Sequence, residues 1–335
     1  MFSLNFTARL SRPLFLALVG ATLIAAPART EEKPTSLRLD YAYYNPVSLA
    51  LKEKGAVEAE LAADGIKVEW VLSLGSNKAL EFLSGSSIDL GSTAGSAALL
   101  ARANGNPIKA VYIYSKPEWT ALVTRKDSPI QTVEDLKGKT IAVTRGTDPH
   151  IFLLRALGLH GLGAKDVRMV LLQHPDGKAA LEKGDVDAWA GLDPHMAQTE
   201  LEQGSRLFFR DPDLNTYGFL NVREDFARRY PELVVRVLRI YEATRQWSVD
   251  HHDELRGIVA KAAKLSDAVA ARTLERNDLS SGHIGDTQRQ AVVAAGGALK
   301  DNGVIPADTD VEAVARALID PQYVERVLGK KQAQN

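Results

Sequence analysis

Short apolar stretches alternate with amphipathic helical stretches through the first two thirds of this sequence. Such alternation is typical of a parallel sheet, because a helix must carry the chain back before the next strand begins. We predict strands at residues 37–43, 67–72, 88–90, 108–114, 120–124, 140–143, 167–171, 186–188 and 217–222. Past residue 224 the sequence favours helices, with few strand signals. The pattern therefore predicts an α/β fold with a helical C-terminal third.

A weak internal repeat divides this pattern into two. Residues 79–91 and 180–191 both read as a helix that passes through Gly and Asp into a short strand, followed by another helix. We predict two lobes, each a mostly parallel sheet flanked by helices, with strands 120–124 and 217–222 as the crossovers and hinge. The predicted bounds are 37–117 and 219–325 for lobe 1, 118–218 for the inserted lobe 2, and 326–335 for a polar tail.

The N-terminal segment is typical of a secretory signal peptide. Arg9 and Arg12 precede an apolar run at 14–26, which is short for a bilayer span, and Ala26-Pro27-Ala28 matches an A-x-A cleavage pattern. We expect residues 1–28 to be removed after Ala28 and the product to be exported to the periplasm. A retained anchor is the alternative interpretation.

Composition excludes several kinds of function. The net charge is −1, whereas a nucleic-acid binder would normally carry a basic face. The chain has no cysteine, so it has no disulfide, no thiolate nucleophile and no cysteine metal site. The histidines lack metal-ligand spacing, and Asp187 and Asp193, read as lying across a turn, make no convincing acid/base pair. We expect no enzyme activity, no metal and no cofactor.

Several predicted helices begin with small polar residues that could bind an anion. The strand at 140–143 runs into Gly146-Thr147-Asp148-Pro149, where Thr or Asp can cap a helix with Pro in its first turn. Residues 43–46, 75–77 and 92–96 are similar junctions, and 92–96 is the expected counterpart of the Gly146 turn. Unpaired amides and the positive end of the helix dipole suit an oxyanion. Simple helix capping is the alternative for each junction.

Aromatic side chains near these junctions could line the rest of a ligand site. Trp119 lies at the first crossover, and Tyr43, Tyr44 and Tyr217 lie near other junctions. Trp189 is read either as a wall of the site or as core. His150, about one turn into its helix, could donate to an anion or pack in the wall.

These residues give the chain a recognisable resemblance. Residues 85–93, 130–139, 146–157 and 186–190, together with Asp193-Pro194, resemble periplasmic substrate-binding proteins of the nitrate/sulfonate/taurine class of ABC importers, closest to the aliphatic-sulfonate-binding members. The resemblance implies a type II periplasmic-binding-protein fold whose lobes close on a ligand without chemistry. It also implies a monomer that delivers an organosulfonate or sulfate ester to a membrane permease with its ATPase.

The resemblance also carries over binding residues and shows two departures. With Tyr217 added from the aromatic pattern, the expected ligand-binding residues are Tyr44, Asn45, Ser76, Asn77, Thr93, Ala94, Trp119, Thr147, Asp148, His150, Asp193 and Tyr217. Gly191-Leu192 stands where the family often has a bulkier pair, which could widen the pocket. Asp148 stands where a hydroxyl is common, so it would repel a sulfonate unless it points away or meets a ligand amine. Nitrate, a pyrimidine precursor or another metabolite, and an enzyme on the same fold, remain alternatives.

Overall fold

A computed structural model describes residues 1–3 and 33–329 of the chain. Residues 4–32 and 330–335 lie outside the described residues, and with them the predicted cleavage site at Ala28 and the end of the predicted tail. From Lys33 onward the described residues form one compact unit. No helix in these ranges is both long enough and apolar enough to cross a bilayer.

The first sheet of the described chain has six strands. They are β1 (Ser36–Tyr41), β2 (Lys67–Leu72), β3 (Leu90–Ala94), β4 (Ile108–Pro117), β10 (Gly218–Arg223) and β11 (Asn277–Asp278). Their order is β11-β4-β10-β3-β1-β2. Strand β1 pairs in parallel with β2 and β3, whereas β10 runs antiparallel between β3 and β4. The early helices of this lobe are α1 (Pro46–Lys54), α2 (Ala56–Leu61), α3 (Ser76–Ser84) and α4 (Gly95–Ala103).

The second sheet repeats this plan with five strands. They are β5 (Thr120–Thr124), β6 (Thr140–Val143), β7 (Arg168–Leu171), β8 (Ala188–Leu192) and β9 (Arg206–Phe209), in the order β7-β6-β8-β5-β9. Strand β5 is antiparallel to both neighbours. The helices are α5 (Asp148–Leu159), α6 (His174–Lys183) and α7 (His195–Gln203). The predicted two-sheet α/β fold is confirmed, but each sheet contains an antiparallel strand inside it.

The two sheets are topologically equivalent, as the internal repeat predicted. Without β11, the first sheet has the order β2-β1-β3-β10-β4, which matches β7-β6-β8-β5-β9 strand for strand. The strand that follows or precedes a connection, β10 or β5, is the antiparallel one in each. The chain passes from the first sheet to the second through Glu118-Trp119, and it returns to the first sheet just before β10. The Thr120 amide donates to Asn215 Oδ1 at 3.0 Å, so the two connections lie side by side.

The last third of the described chain is almost entirely helical, as expected. Its helices are α8 (Glu224–Arg229), α9 (Pro231–Asp250), α10 (His252–Ala263), α11 (Asp267–Glu275), α12 (Asp286–Asp301), α13 (Val311–Leu318) and α14 (Gln322–Leu328). Residues 326–328, expected in the polar tail, belong to α14. Helix α12 packs on α5 and helix α11 packs on α7, so this region also contacts the second lobe.

Two predicted strands were placed too early. The sequence favoured 88–90 and 186–188, but β3 and β8 occupy Leu90–Ala94 and Ala188–Leu192. All ten positions are buried, and most carry small side chains that fit between neighbouring strands and covering helices. Asp187 and Asp193 are therefore joined by a strand rather than by the predicted turn. Strand β8 separates their carboxylates.

Separate apolar cores lie around each sheet, and a smaller cluster joins them. Ile151 of α5 packs with Leu100 of α4 and with Ala295, Leu299 and Ile305 of the C-terminal region. Trp189 is fully buried in the second lobe, which agrees with its interpretation as core. Burial of this joining cluster holds α5 against the first lobe.

Candidate functional site

The first turns of α3, α5 and α6 meet where the two lobes face each other. A Cβ placed on Gly75, which precedes α3, would lie 3.0 Å from His174 Nε2 at the start of α6. A Cβ on Gly146, which precedes α5, would lie 4.0 Å from Asn77 Cβ. These helices follow β2, β6 and β7, so their starts lie at the carboxyl ends of the strands, where open α/β sheets bind ligands.

Each of these helix starts presents unpaired backbone donors. In α3 the first amide to bond within the helix is that of Lys78, which donates to the Gly75 carbonyl at 3.0 Å. Within residues 33–329 no acceptor is found for the Ser76 and Asn77 amides before it. The Asp148 amide in α5 and the His174 amide in α6 are in the same position. Three helix ends therefore offer donors and positive dipole ends to one region.

His174 is fully buried, and its tautomer is fixed by its neighbours. Thr144 Oγ1 donates its one proton to the Leu172 carbonyl at 2.7 Å, so at 3.1 Å it must accept from His174 Nδ1. Nε2 therefore carries a lone pair and has no partner among the described residues. Burial, with a smaller effect of His195, lowers the pKa of His174 to about 3. The ring is neutral at physiological pH.

Asn77 and His150 also place unpartnered polar atoms in buried positions. Asn77 Oδ1 and His150 Nδ1 are both buried, and neither has a hydrogen-bond partner in the described part of the chain. Burial, with a smaller effect of Arg145, lowers the pKa of His150 to about 4. Buried polar atoms in proteins are normally paired, so unpaired ones at a lobe junction point to a ligand.

Asp148 faces protein donors. Its Oδ1 accepts from Ser96 Oγ at 2.5 Å and Thr216 Oγ1 at 2.8 Å, and its Oδ2 accepts from Trp119 Nε1 at 2.9 Å and the Thr216 amide at 3.1 Å. These donors come from α4 and from both connections between the sheets. We call Asp148, Ser96, Trp119 and Thr216 the carboxylate clasp. It occupies both carboxylate oxygens, so the expected conflict with an anion needs no ligand amine to resolve it.

The polar groups of three predicted site residues are engaged within the first lobe. The Tyr44 hydroxyl donates to the Ser92 carbonyl at 2.9 Å. Asn45 caps α1 by accepting from the Ser48 amide, as predicted, and donates to Ser92 Oγ at 2.8 Å. Thr93 Oγ1 accepts from Asn221 Nδ2 at 2.8 Å. The polar groups of Tyr44, Asn45 and Thr93 are thus used in hydrogen bonds within the first lobe.

The junctions at 75–77 and 92–96 are joined directly. The Ala94 amide donates to Ser76 Oγ at 2.9 Å, so Ala94 and Ser76 fix α3 against β3. Helix α4 begins only at Gly95, and Gly95 donates its amide to the Tyr217 carbonyl at 2.9 Å. Tyr217 itself is partly buried against the first core. Ser96, in the junction at 92–96, contacts Asp148 of the second lobe through the clasp.

Thr147 does not cap α5, contrary to the sequence prediction. Its side chain makes no cap hydrogen bond and instead donates to the Thr144 carbonyl at 2.6 Å. The cause is the tight turn at Gly146, which has a φ of +76° and folds the Thr147 hydroxyl back onto the end of β6. The amides at the start of α5 are left uncapped by this residue.

Asp193 forms a buried ionic contact between the lobes. Arg276, which follows the end of α11, lies 3.3 Å from Asp193 Oδ1 and also pairs with Glu200 of α7. Arg272 of α11 pairs with Glu200 at 3.0 Å. Burial raises the pKa of Asp193 to about 7, although Arg276 acts to lower it. We call Asp193, Glu200 and Arg276 the ionic latch. Asp193 of the second lobe thus contacts Arg276 of the first lobe.

The sequence reasoning missed His174, which it considered only as a metal ligand. Helix α6 begins at His174 itself. A signal was present, because His174-Pro175 repeats the polar-proline helix start of Asn45-Pro46 and Asp148-Pro149. Residues 33–329 contain no group of His, Asp and Glu side chains arranged to hold a metal ion.

Two equivalent mixed sheets joined by paired connections, with helix starts facing each other at the junction, define a two-lobed periplasmic-binding-protein fold. The chain belongs to the NMT1/THI5-like family, whose model matches residues 61–255. This agrees with the resemblance found in the sequence.

Relatives of known name support the assignment. A protein of Escherichia coli (strain K12) named for binding aliphatic sulfonates is 30% identical over 263 residues, which cover 78% of this chain and 82% of that protein. The taurine-binding periplasmic protein of the same strain is 29% identical, over 64% of this chain and 67% of its own. The alkanesulfonate-binding protein SsuA from Xanthomonas axonopodis pv. citri, solved with MOPS bound, superposes with a TM-score of 0.79 at 26% identity. The match covers 87% of this chain and 99% of that chain.

Proposed function

We propose that this protein is the exported solute-binding component of an ABC importer for organosulfonates. The observation that carries the proposal is the meeting of the α3, α5 and α6 starts, with unpaired amides, between the lobes. A sulfonate has no proton at neutral pH and only accepts hydrogen bonds, so it suits a site made of donors. The names of the relatives support the same ligand class.

Binding of this kind needs no basic side chain. Hydrogen bonds to charged groups contribute about 1.5–3 kcal/mol each, and micromolar affinity needs about 8 kcal/mol. Several helix-start amides can supply this after the entropy cost of association. Closure of the lobes on the ligand would present a loaded monomer to a membrane permease with its ATPase. The protein performs no reaction in this proposal.

Thermal unfolding of the purified protein with methanesulfonate, ethanesulfonate, taurine and a sulfate ester tests the ligand class. At 100 times its dissociation constant a ligand adds about 2.7 kcal/mol of stability, so the melting temperature should rise by several degrees. Stabilisation by nitrate or an uncharged metabolite, with all sulfonates inert, would contradict the proposal.

Mass spectrometry of the periplasmic protein should find an N-terminus that follows Ala28.

Two substitutions at one position test the role of the amides. Asn77→Pro removes the backbone N–H at the second helical position, where proline is tolerated, and Asn77→Ala removes only the side chain. We expect Asn77→Pro to bind ethanesulfonate roughly tenfold to a hundredfold more weakly than Asn77→Ala, as the loss of one charged hydrogen bond requires. Equal affinities of the two variants would place the sulfonate elsewhere.

A further inference from the structure

Two unpartnered acceptor atoms lie together at the meeting of α3 and α6. His174 Nε2 and Asn77 Oδ1 are buried, and neither has a partner among the described residues. A Cβ on Gly75 would lie 3.0 Å from the first atom and 2.8 Å from the second. Since both atoms are within about 3 Å of one point, they are at most about 6 Å apart. One small group could contact both.

Both atoms are acceptors to which no described residue donates, so a ligand donor can pair with either. Nε2 is an acceptor because the Thr144 hydroxyl fixes the proton on Nδ1. Oδ1 is the acceptor of the Asn77 amide group. A buried acceptor left unpaired destabilises the protein, so a ligand donor at this position gains affinity by relieving that cost.

We propose that Asn77 Oδ1 and His174 Nε2 form a donor-recognition subsite in which His174 Nε2 accepts the one hydrogen bond that an uncharged hydroxyl on the carbon chain of the bound sulfonate can donate. This rests on the proposed function, with the sulfonate on the amides of the same helix starts. Because the Asn77 amide and Oδ1 belong to one residue, the hydroxyl must lie within a few bonds of the sulfur. The preferred ligands are short hydroxyalkanesulfonates.

The charges around the subsite favour a hydroxyl over an ammonium group. A buried cation needs a paired anion, and the buried carboxylates at the lobe junction are already occupied. Asp148 accepts four protein hydrogen bonds in the carboxylate clasp, and Asp193 is paired with Arg276. His174 and Asn77 are uncharged acceptors. They match a neutral donor.

Calorimetric titration of the full protein at pH 7 with 2-hydroxyethanesulfonate, ethanesulfonate and taurine tests this subsite. We expect 2-hydroxyethanesulfonate to bind at least tenfold more tightly than ethanesulfonate, and more tightly than taurine. Equal binding of the first two ligands overturns the subsite and leaves the proposed function intact. Tighter binding of taurine also overturns it, because the subsite would then recognise a cation. Failure of all three to bind overturns the proposed function and the subsite together.

Variants at His174 identify the acceptor. His174→Phe should abolish the preference for the hydroxyl ligand, whereas His174→Gln, which places an oxygen near the position of Nε2, should keep part of it. His160→Gln, at a partly exposed histidine paired with Glu134, should leave the preference unchanged. The preference should also be constant between pH 6 and pH 8. A preference that grows in acid would mean that a protonated His174 donates to the sulfonate, and would overturn the proposal.

Discussion

Asp148 is a residue whose role cannot be assigned from its type alone. As a carboxylate at the start of a helix proposed to bind an anion, it would repel the ligand unless it points away or meets a ligand amine. The structure gives it four protein donors from three separate segments. Its negative charge is thus used to hold α5, α4 and the two connections together. No sequence pattern near position 148 contains that information, since its partners are at 96, 119 and 216.

Replacing Asp148 by Asn should destabilise the protein by about 2–4 kcal/mol. An amide keeps one acceptor oxygen and presents its own N–H groups to donors, so about two charge-assisted hydrogen bonds are lost. Chemical denaturation of both proteins measures the change. Asp185→Asn, at an exposed position, should change stability by less than about 0.5 kcal/mol. Equal stabilities of wild type and Asp148→Asn would contradict the clasp.

His174 should make the protein less stable as the pH falls. Its pKa is about 3 in the folded chain and near 6.5 when unfolded, so between pH 4 and 6 the unfolded state binds one more proton. The contribution of this one group to the free energy of unfolding should then decrease by about 1.4 kcal/mol for each pH unit of acidification. In denaturant titrations, the pH slopes of wild type and His174→Phe should differ by this amount.

An exposed histidine gives the control for that slope. His252→Phe makes the same substitution at an exposed position and is measured beside it. The buried aspartates Asp40 and Asp193, whose pKa values burial raises to about 7, act in the opposite direction but equally in all three proteins. Parallel curves for wild type and His174→Phe would show that the ring is protonated when folded.

At the scale of elements, two adjacent glycines in α12 differ in their surroundings. A Cβ on Gly296 would lie 2.3 Å from Val311 Cγ1 in α13, whereas a Cβ on Gly297 has no atom within 4 Å. Gly297→Ala should stabilise the protein by about 0.5–1 kcal/mol, because alanine favours helix. Gly296→Ala should destabilise it by about 1–3 kcal/mol through the clash. Melting temperatures that move in the same direction would contradict this packing.

The sequence predicted elements well where their signals are local. Strands β2, β5 and β6 have the predicted bounds, because alternating or continuous β-branched and apolar residues mark them. Strands β3 and β8 were predicted too early. Their small residues are required by buried neighbouring strands and helices that are distant in sequence, and no local pattern marks them. The donors at the α3 and α5 starts were anticipated from capping residues and proline. The role of His174 depends on Thr144 and Gly75, which only the folded chain brings together.

At the scale of the whole molecule, the ionic latch supplements the two connections between the lobes. Replacing Arg276 by Met leaves Asp193 buried without its partner and should cost about 3–5 kcal/mol. Arg272→Met removes a half-exposed partner of the same Glu200 and should cost less than about 1 kcal/mol.

Calorimetry should show one unfolding transition for the wild type, because the joining cluster and the latch couple the lobes. Two resolved transitions in the wild type would contradict this coupling.

The position of β10 has a consequence for the order of folding. The strands of the second sheet are contiguous in sequence, from residue 120 to 209, whereas β10 lies between β3 and β4 and begins only at residue 218. When the chain emerges from its N-terminus, the first sheet has a gap until that strand follows. We expect the inserted lobe to fold first, since its pairings span shorter stretches of chain. Completion of the N-terminal lobe must wait for the last third of the sequence.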